Sequence, residues 1–409
     1  MRVLVNAVAA VGPMTGIGHY TTQLLRCLRQ QAAGEEIHAF PGRWLSQARA
    51  LWSSLRSRLD RGNDPASSSA GDESPPSLPW HGRMLRGMRS SGQWLLTRNF
   101  RLVSQRGFDV YHEPNYIPLP CDLPTVATVH DLSVLLHPEW HPADRVAHFE
   151  RRFRRGLRQC EHFLAISEFA RQEIIDRLHL RPERVTRTYM GIRPGLRPLP
   201  EADVRQALDR LKLPRRYLLY VGTIEPRKNL LTLLRAYGAL DDRIRRDYPL
   251  VLVGHWGWNA GEVASYLRGK DAASEIIHLG YVPESDLAAL YNGARALVFP
   301  SLYEGFGLPP VEMLACGGAV LASTAGAVVE TVGHQAHCLE PMDLDGWRRA
   351  MQRVVLDDDW RCLLRRGAVE AAVPFTWEQC AADTLRVYRQ LAGAKPAIKP
   401  ISIQHNIAG

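Results

Sequence analysis

The sequence predicts an α/β protein made of two doubly wound, parallel-sheet domains facing a cleft. Three observations predict it. The chain has 409 residues, enough for two domains of about 200. Short apolar runs alternate with amphipathic stretches, the pattern of a parallel sheet covered by helices. A proline-rich joint, Pro194 to Pro200, divides two such series. Hydrophobic residues make up 45% and charged residues 23%, which excludes wholesale disorder and collagen-like order.

The first strand is the apolar run Arg2–Val8, interrupted by Asn6 and followed by Gly12-Pro13, too short and too broken for a signal peptide. Further strands fall at Ile37–Phe40, Val110–His112, Thr125–His130, Phe163–Ile166 and Val185–Tyr189, with helices at Tyr20–Gln31 and Glu168–Leu178. The second series has strands at Tyr217–Val221, Leu250–Val253, Ile276–Leu279, Ala296–Phe299 and Ala319–Ala322. Its helices are Leu230–Leu240, Ser285–Asn292 and Val311–Cys316. The expected domains are residues 1–198 and 199–376, then a helix over 377–394 crossing back to the first domain and a tail over 395–409.

Lys and Arg number 51 against 42 Asp and Glu, a formal charge of +9. Most of that excess sits in an insertion at 43–106, where eleven Arg face four acids (Asp60, Asp64, Asp72, Glu73). Inside it, Pro65–Pro76 has too little apolar content to pack, between Leu/Trp/Arg stretches at Trp44–Leu59 and Met84–Leu102. This insertion and Arg145–Arg155 read equally as solvated helix faces or as a peripheral patch on the cytoplasmic side of an inner membrane. No aromatic-interleaved platform accompanies the arginines, so nucleic acid is not an expected partner. The seven cysteines are scattered with no C-x-x-C pair, the usage of reduced cytoplasmic thiols. No run reaches the roughly 18 apolar residues of a transmembrane helix.

Four motifs carry chemistry. Val221-Gly-Thr-Ile-Glu-Pro-Arg-Lys-Asn229 runs from a strand into a loop with Arg227 and Lys228 before a helix, a placement that suits a diphosphate. Pro300-Ser-Leu-Tyr-Glu-Gly-Phe-Gly-Leu-Pro-Pro-Val-Glu312 joins Glu304 and Glu312, seven residues between them, through Gly305 and Gly307. A carboxylate there accepts sugar hydroxyls, although Glu312 alone is also explained as a complement to the helix dipole. Thr15-Gly-Ile-Gly-His-Tyr20 reads as a loop near a phosphate or as a structural turn, without the full G-x-G-x-x-G. Thr128-Val-His-Asp131 closes a strand and brings His130 to its carboxyl end.

These residues resemble the family 4 retaining glycosyltransferases, most strongly from Tyr217 to Val332 and also at Gly16-Ile-Gly18, His130-Asp131 and Ile166-Ser-Glu-Phe169. The resemblance implies the GT-B architecture of two Rossmann-like domains, the first binding the acceptor and the second a nucleotide sugar. It implies that Arg227 and Lys228 clamp the donor diphosphate and that Glu312 binds the ribose. By the same resemblance Glu304 is expected beside the donor sugar, with Phe306, Gly307 and Leu308 lending backbone contacts. His130 resembles the histidine that contacts the transferred sugar, and Gly16 and Gly18 resemble the loop that approaches the donor phosphate.

Fixed cations at the leaving group stabilise its charge without reorganising, so neither metal nor cofactor is expected. Two D-x-D triplets, Asp343–Asp345 and Asp357–Asp359, each precede a helical pattern and read as N-caps. The expected activity is metal-independent, retaining transfer of a hexose to a lipid-linked or glycan acceptor in bacterial O-antigen synthesis. The Glu-Pro-Arg-Lys-Asn form and the His-Asp pair most resemble the mannosyl- and rhamnosyltransferase branch of that family, which implies GDP-mannose as the first donor. Two rivals stay open, a nucleotide-sugar 2-epimerase and a non-catalytic sugar-nucleotide-binding protein.

Overall fold

The computed structural model describes residues 1–11, 16–42, 94–269 and 275–393. It contains two six-stranded sheets, and the strand pairs described below are all parallel. The first holds β1 (Arg2–Asn6), β2 (Glu36–Phe40), β3 (Val110–Glu113), β4 (Thr125–Val129), β5 (Cys160–Ala165) and β6 (Val185–Arg187), in the order 2-1-3-4-5-6. The second holds β7 (Leu218–Val221), β8 (Leu250–Val253), β9 (Ile276–Gly280), β10 (Ala296–Phe299), β11 (Val320–Ser323) and β12 (Ala336–Leu339), in the order 12-11-10-7-8-9. Contacts group the described residues into two compact units. One takes in Met1–Thr128, Arg155–His162 and the chain from Leu385; the other takes in Val129–Arg154 and Phe163–Thr384.

In the first unit, Val3 lies opposite Ile37 of β2 and Val110 of β3. Leu4, Phe40, Phe100, Phe108 and Tyr111 form a buried cluster there. Phe100 comes from the insertion, whose residues 94–104 are helical, while Trp94, Leu95 and Leu102 stay exposed. Residues 43–93 of the basic insertion and the tail lie outside the described residues. Tyr388, late in the helix Trp377–Gly393, is fully buried and bonds His112 Nδ1 at 2.5 Å.

In the second unit, β7, β8 and β10 are buried throughout. Leu218, Leu252, Val298, Leu233 and Trp347 belong to one core cluster. At about 1.5–3 kcal/mol for each large side chain removed from water, such a core holds the loops at the strand ends.

Several elements differ from expectation. β1 stops at Asn6, and a 3-10 turn covers Val8–Ala10. Gly16-Ile-Gly18 is not a loop but the start of a helix, Gly16–Gln31. β12 went unread because Ala-His-Cys-Leu is short, half-exposed and at a sheet edge. Asp343 accepts from Gly346 N at 2.8 Å and Asp357 from Trp360 N at 2.8 Å, so both triplets do cap helices. In the helix Ala143–Gln159, Phe149, Phe153 and Leu157 are buried along one face. Arg151, Arg152, Arg154, Arg155 and Arg158 are exposed on the other, so this helix offers charge outward but has its apolar side engaged in packing. Among the described residues, no helix is long and apolar enough to cross a membrane.

Candidate active site

Everything in this cluster belongs to the second unit. β7 and β10 are parallel neighbours, so the loops leaving their carboxyl ends emerge side by side. After β7 the chain forms a 3-10 turn, Pro226–Lys228, and then Asn229 in the left-handed conformation (φ 53°). The Asn229 side chain secures that turn by donating to Pro300 O at 3.0 Å and Pro341 O at 2.8 Å. After β10, the segment 300–307 leads into the helix Leu308–Ala315, whose first turn carries Pro309 and Pro310 as expected.

These two loops bring Arg227, Lys228 and Glu304 together. Lys228 Nζ donates to Glu304 Oε1 at 2.5 Å, and Arg227 Nη1 donates to Glu304 Oε2 at 3.0 Å. Ser301 Oγ donates to Oε1 at 2.7 Å, and Glu225 Oε1 accepts from Arg227 Nη2 at 2.9 Å. Burial alone would raise the Glu304 carboxyl, but Lys228 and Arg227 outweigh it and hold the group below its ordinary range. Glu304 is therefore an anion at neutral pH, and each cation already faces a carboxylate. The side chain of Arg227 keeps 16% of its surface exposed and that of Lys228 11%, so both still reach solvent.

The backbone around Glu304 is locked. Ala327 N donates to Glu304 O at 2.9 Å, and Gly326 (φ +60°) packs so closely that a Cβ there would sit 2.3 Å from the same oxygen. Thr331 Oγ1 donates to Phe306 O at 3.0 Å. Phe306 is buried edge-on against Phe375. Gly307 takes φ +86°, which permits the sharp entry of Leu308 into the helix.

His130 lies one residue beyond β4 and is buried, with its backbone pressed against Gly305. A Cβ on Gly305 would stand 2.0 Å from His130 O and 3.0 Å from Asp131 Cβ. Asp131 accepts from Ser133 N and Oγ. Against the upward push of burial, Arg227 and these bonds hold its carboxyl below the ordinary range. Leu132 N donates to Tyr303 Oη at 3.1 Å, and Tyr303 donates to Glu173. Because the Gly305 contact is backbone to backbone, Gly305→Ala is expected to lower stability by about 1–3 kcal/mol, read as a fall in Tm, and to abolish turnover. An unchanged melt refutes the contact.

Glu312 stands apart from this cluster. It is fully buried, with Arg193 Nη1 donating to both carboxylate oxygens at 2.5 Å and Tyr291 Oη donating to Oε2 at 2.8 Å. Burial raises its carboxyl in spite of Arg193. Gly16 and Gly18 open their helix in the first unit; a Cβ on Gly16 would meet nothing within 4 Å, so packing does not demand glycine there. Sequence reasoning missed Arg193, Tyr291, Ser301 and Glu225. The last two lay within the quoted motifs, next to the residues they serve. Arg193 sits one residue before the proline-rich joint, with no local signal.

Residues 14–196 match the family described as Glycosyltransferase Family 4, and residues 206–370 match Glycosyl transferases group 1. The chain is 33% identical over 390 residues to the O-antigen chain mannosyltransferase B of Escherichia coli, covering 93% of this chain and 97% of that one. It is 31% identical over 289 residues to the serotype-specific mannosyltransferase WbdA of Escherichia coli, of whose length it spans 34%. The structure of sucrose-phosphate synthase from Thermosynechococcus elongatus superposes with a TM-score of 0.67 at 21% identity, over 95% of this chain and 98% of that one, a likeness of fold. With two parallel sheets, a carboxylate and a cation pair at the loops of the second, and a full-length relative at that identity, the chain belongs to the family 4 glycosyltransferases of GT-B fold.

Proposed function

We propose that the protein is a retaining, metal-independent mannosyltransferase that moves mannose from GDP-mannose to a lipid-linked or glycan acceptor in O-antigen synthesis. The observation that carries the substrate class is the full-length likeness to an O-antigen chain mannosyltransferase. The chemistry is supported by half-buried Arg227 and buried Lys228, two cations on the loop after β7 held by Glu304 on the loop after β10. In this reading residues 1–198 take the acceptor and residues 199–376 the donor.

When the bond between the anomeric carbon and the diphosphate oxygen breaks, negative charge grows on the leaving group. Cations already in place meet that charge with little reorganisation. The acceptor oxygen bonds the anomeric carbon on the face the diphosphate leaves, and its proton passes to a diphosphate oxygen. Glu304 orients the donor and balances the cations, and His130 contacts the sugar. Glu312 is assigned to the ribose, a role that requires it to share or exchange Arg193 and Tyr291. The exposed arginines of Ala143–Gln159 are the candidate contact with an anionic membrane surface.

Thermal shift and turnover with GDP-mannose, UDP-glucose and dTDP-rhamnose, each with EDTA, test the proposal. The expected result is stabilisation and turnover by GDP-mannose, unchanged by EDTA. A strict Mn²⁺ requirement overturns the metal-free scheme, and preference for another donor overturns the substrate. Conversion of the sugar nucleotide to its 2-epimer without acceptor establishes the epimerase instead.

A further inference from the structure

A second cationic site lies at the opposite, amino-terminal end of the strands of the second sheet. Arg215 and Arg216 precede β7, Gly293–Arg295 precede β10, and Gly317 and Gly318 precede β11, so the amino ends of three parallel neighbours converge there. Together with Arg361 and Arg365 of the helix Asp358–Arg365, they line a cavity of about 180 Å³. Arg227, Lys228 and Glu304 follow the carboxyl ends of β7 and β10, which are four residues long. About 13 Å of strand therefore separates the two ends.

Five arginines and no acidic residue line this cavity. Three of the five have acidic partners. Arg295 donates to Val354 O and Val355 O and pairs with Asp358 at 2.7 Å. Arg215 pairs with Asp209, and Arg361 meets Asp358 only at 3.4 Å. Two carboxylates thus serve five guanidinium groups. Arg361 Nε is buried with no hydrogen-bond partner. Arg365 spends its Nε on Gly317 O at 2.7 Å. Both Arg365 and Arg216 are exposed. Burial and the neighbouring Arg295 and Arg365 also lower the proton affinity of Arg361, the mark of crowded positive charge.

We propose that this pocket binds a phosphate or diphosphate group. Planar guanidinium forks pair two-pronged with phosphate oxygens, and arginine without lysine is the choice where that geometry matters. The cavity falls below the ~300–1,000 Å³ of sites that enclose a drug-sized ligand, so it takes a small oxyanion and not a whole nucleotide. An anion there neutralises the surplus and supplies an acceptor for Arg361 Nε. The group comes either from free phosphate or diphosphate or from a lipid headgroup.

Inorganic pyrophosphate is titrated calorimetrically onto the full chain, onto Arg216→Gln/Arg365→Gln and onto Lys228→Ala. In parallel, flotation with phosphatidylcholine vesicles with and without phosphatidic acid tests the lipid source. The double variant is expected to bind at least tenfold more weakly, with its sugar-nucleotide turnover unchanged, while Lys228→Ala keeps the affinity. Vesicle binding lost in the double variant, without pyrophosphate binding, assigns the headgroup and supports the site. Equal affinity in the double variant, loss in Lys228→Ala alone, or binding of neither probe overturns it. Should the double variant melt early, Arg216→Gln alone, at an exposed position, is expected to weaken binding severalfold, and no change there is equally decisive.

Discussion

Lys228→Ala is expected to lower kcat/KM for mannose transfer by a factor of about 10²–10³, a loss of roughly 3–4 kcal/mol of transition-state stabilisation. Lys228 is nearly buried, and its ammonium makes the 2.5 Å bond to Glu304. Alanine removes a cation from the place where the leaving group gathers charge. It also leaves Glu304 with Arg227 and Ser301 as its polar partners, so the carboxylate loses the first of the two charges that hold it ionised. A role in the transition state predicts that kcat falls along with kcat/KM, whereas simple donor anchoring would raise KM alone. Steady-state kinetics, with a melt to establish folding, separates these results. Turnover equal to the parent protein removes Lys228 from the mechanism.

Arg193→Met is expected to destabilise the fold by about 3–5 kcal/mol at neutral pH, because it strands the Glu312 carboxylate in a fully buried position. The pH dependence follows from the direction of the shift. Burial already raises the Glu312 carboxyl with Arg193 present, and without Arg193 it rises further. A group whose folded pKa exceeds its unfolded one contributes stability below the unfolded value, and that contribution is lost as pH climbs through the folded value. The variant should therefore approach the parent near pH 4–5, where the carboxyl is protonated, and fall away from it toward pH 8. Urea unfolding at both pH values measures the gap. A gap of the same size at both ends of the range would show that Glu312 does not feel Arg193.

The sequence made the cores of both sheets readable because parallel strands buried on both faces are apolar without interruption, as in Leu218–Val221 and Leu250–Val253. Strand ends were less legible. Thr125–His130 and Val185–Tyr189 each end earlier in the fold, since ladder partners and not composition decide where pairing stops. Within the candidate site, the spacing of Glu304 and Glu312 and the Arg227-Lys228 pair could be read as local words. What could not be read was their pairing. Glu304 reaches back 76 residues to Lys228, and Glu312 reaches back 119 to Arg193, so one carboxylate joins the cations while the other does not. The start of the helix at Gly16 was hidden for another reason, since two glycines in one turn suggest a loop and tertiary packing overrides them.

The strand order carries a kinetic consequence. The ladder partners of Val3 are Ile37 and Val110, and that of Leu218 in β10 is Ala296. No hairpin can seed such ladders, because parallel neighbours meet only after a crossover has closed. Chain entropy is surrendered over these long intervals before any ladder bond repays it, which places the protein among slow folders of high contact order. Until the chain through Val110 has been synthesised, β1 has just one flank covered, and the nascent polypeptide displays an adhesive edge to its neighbours.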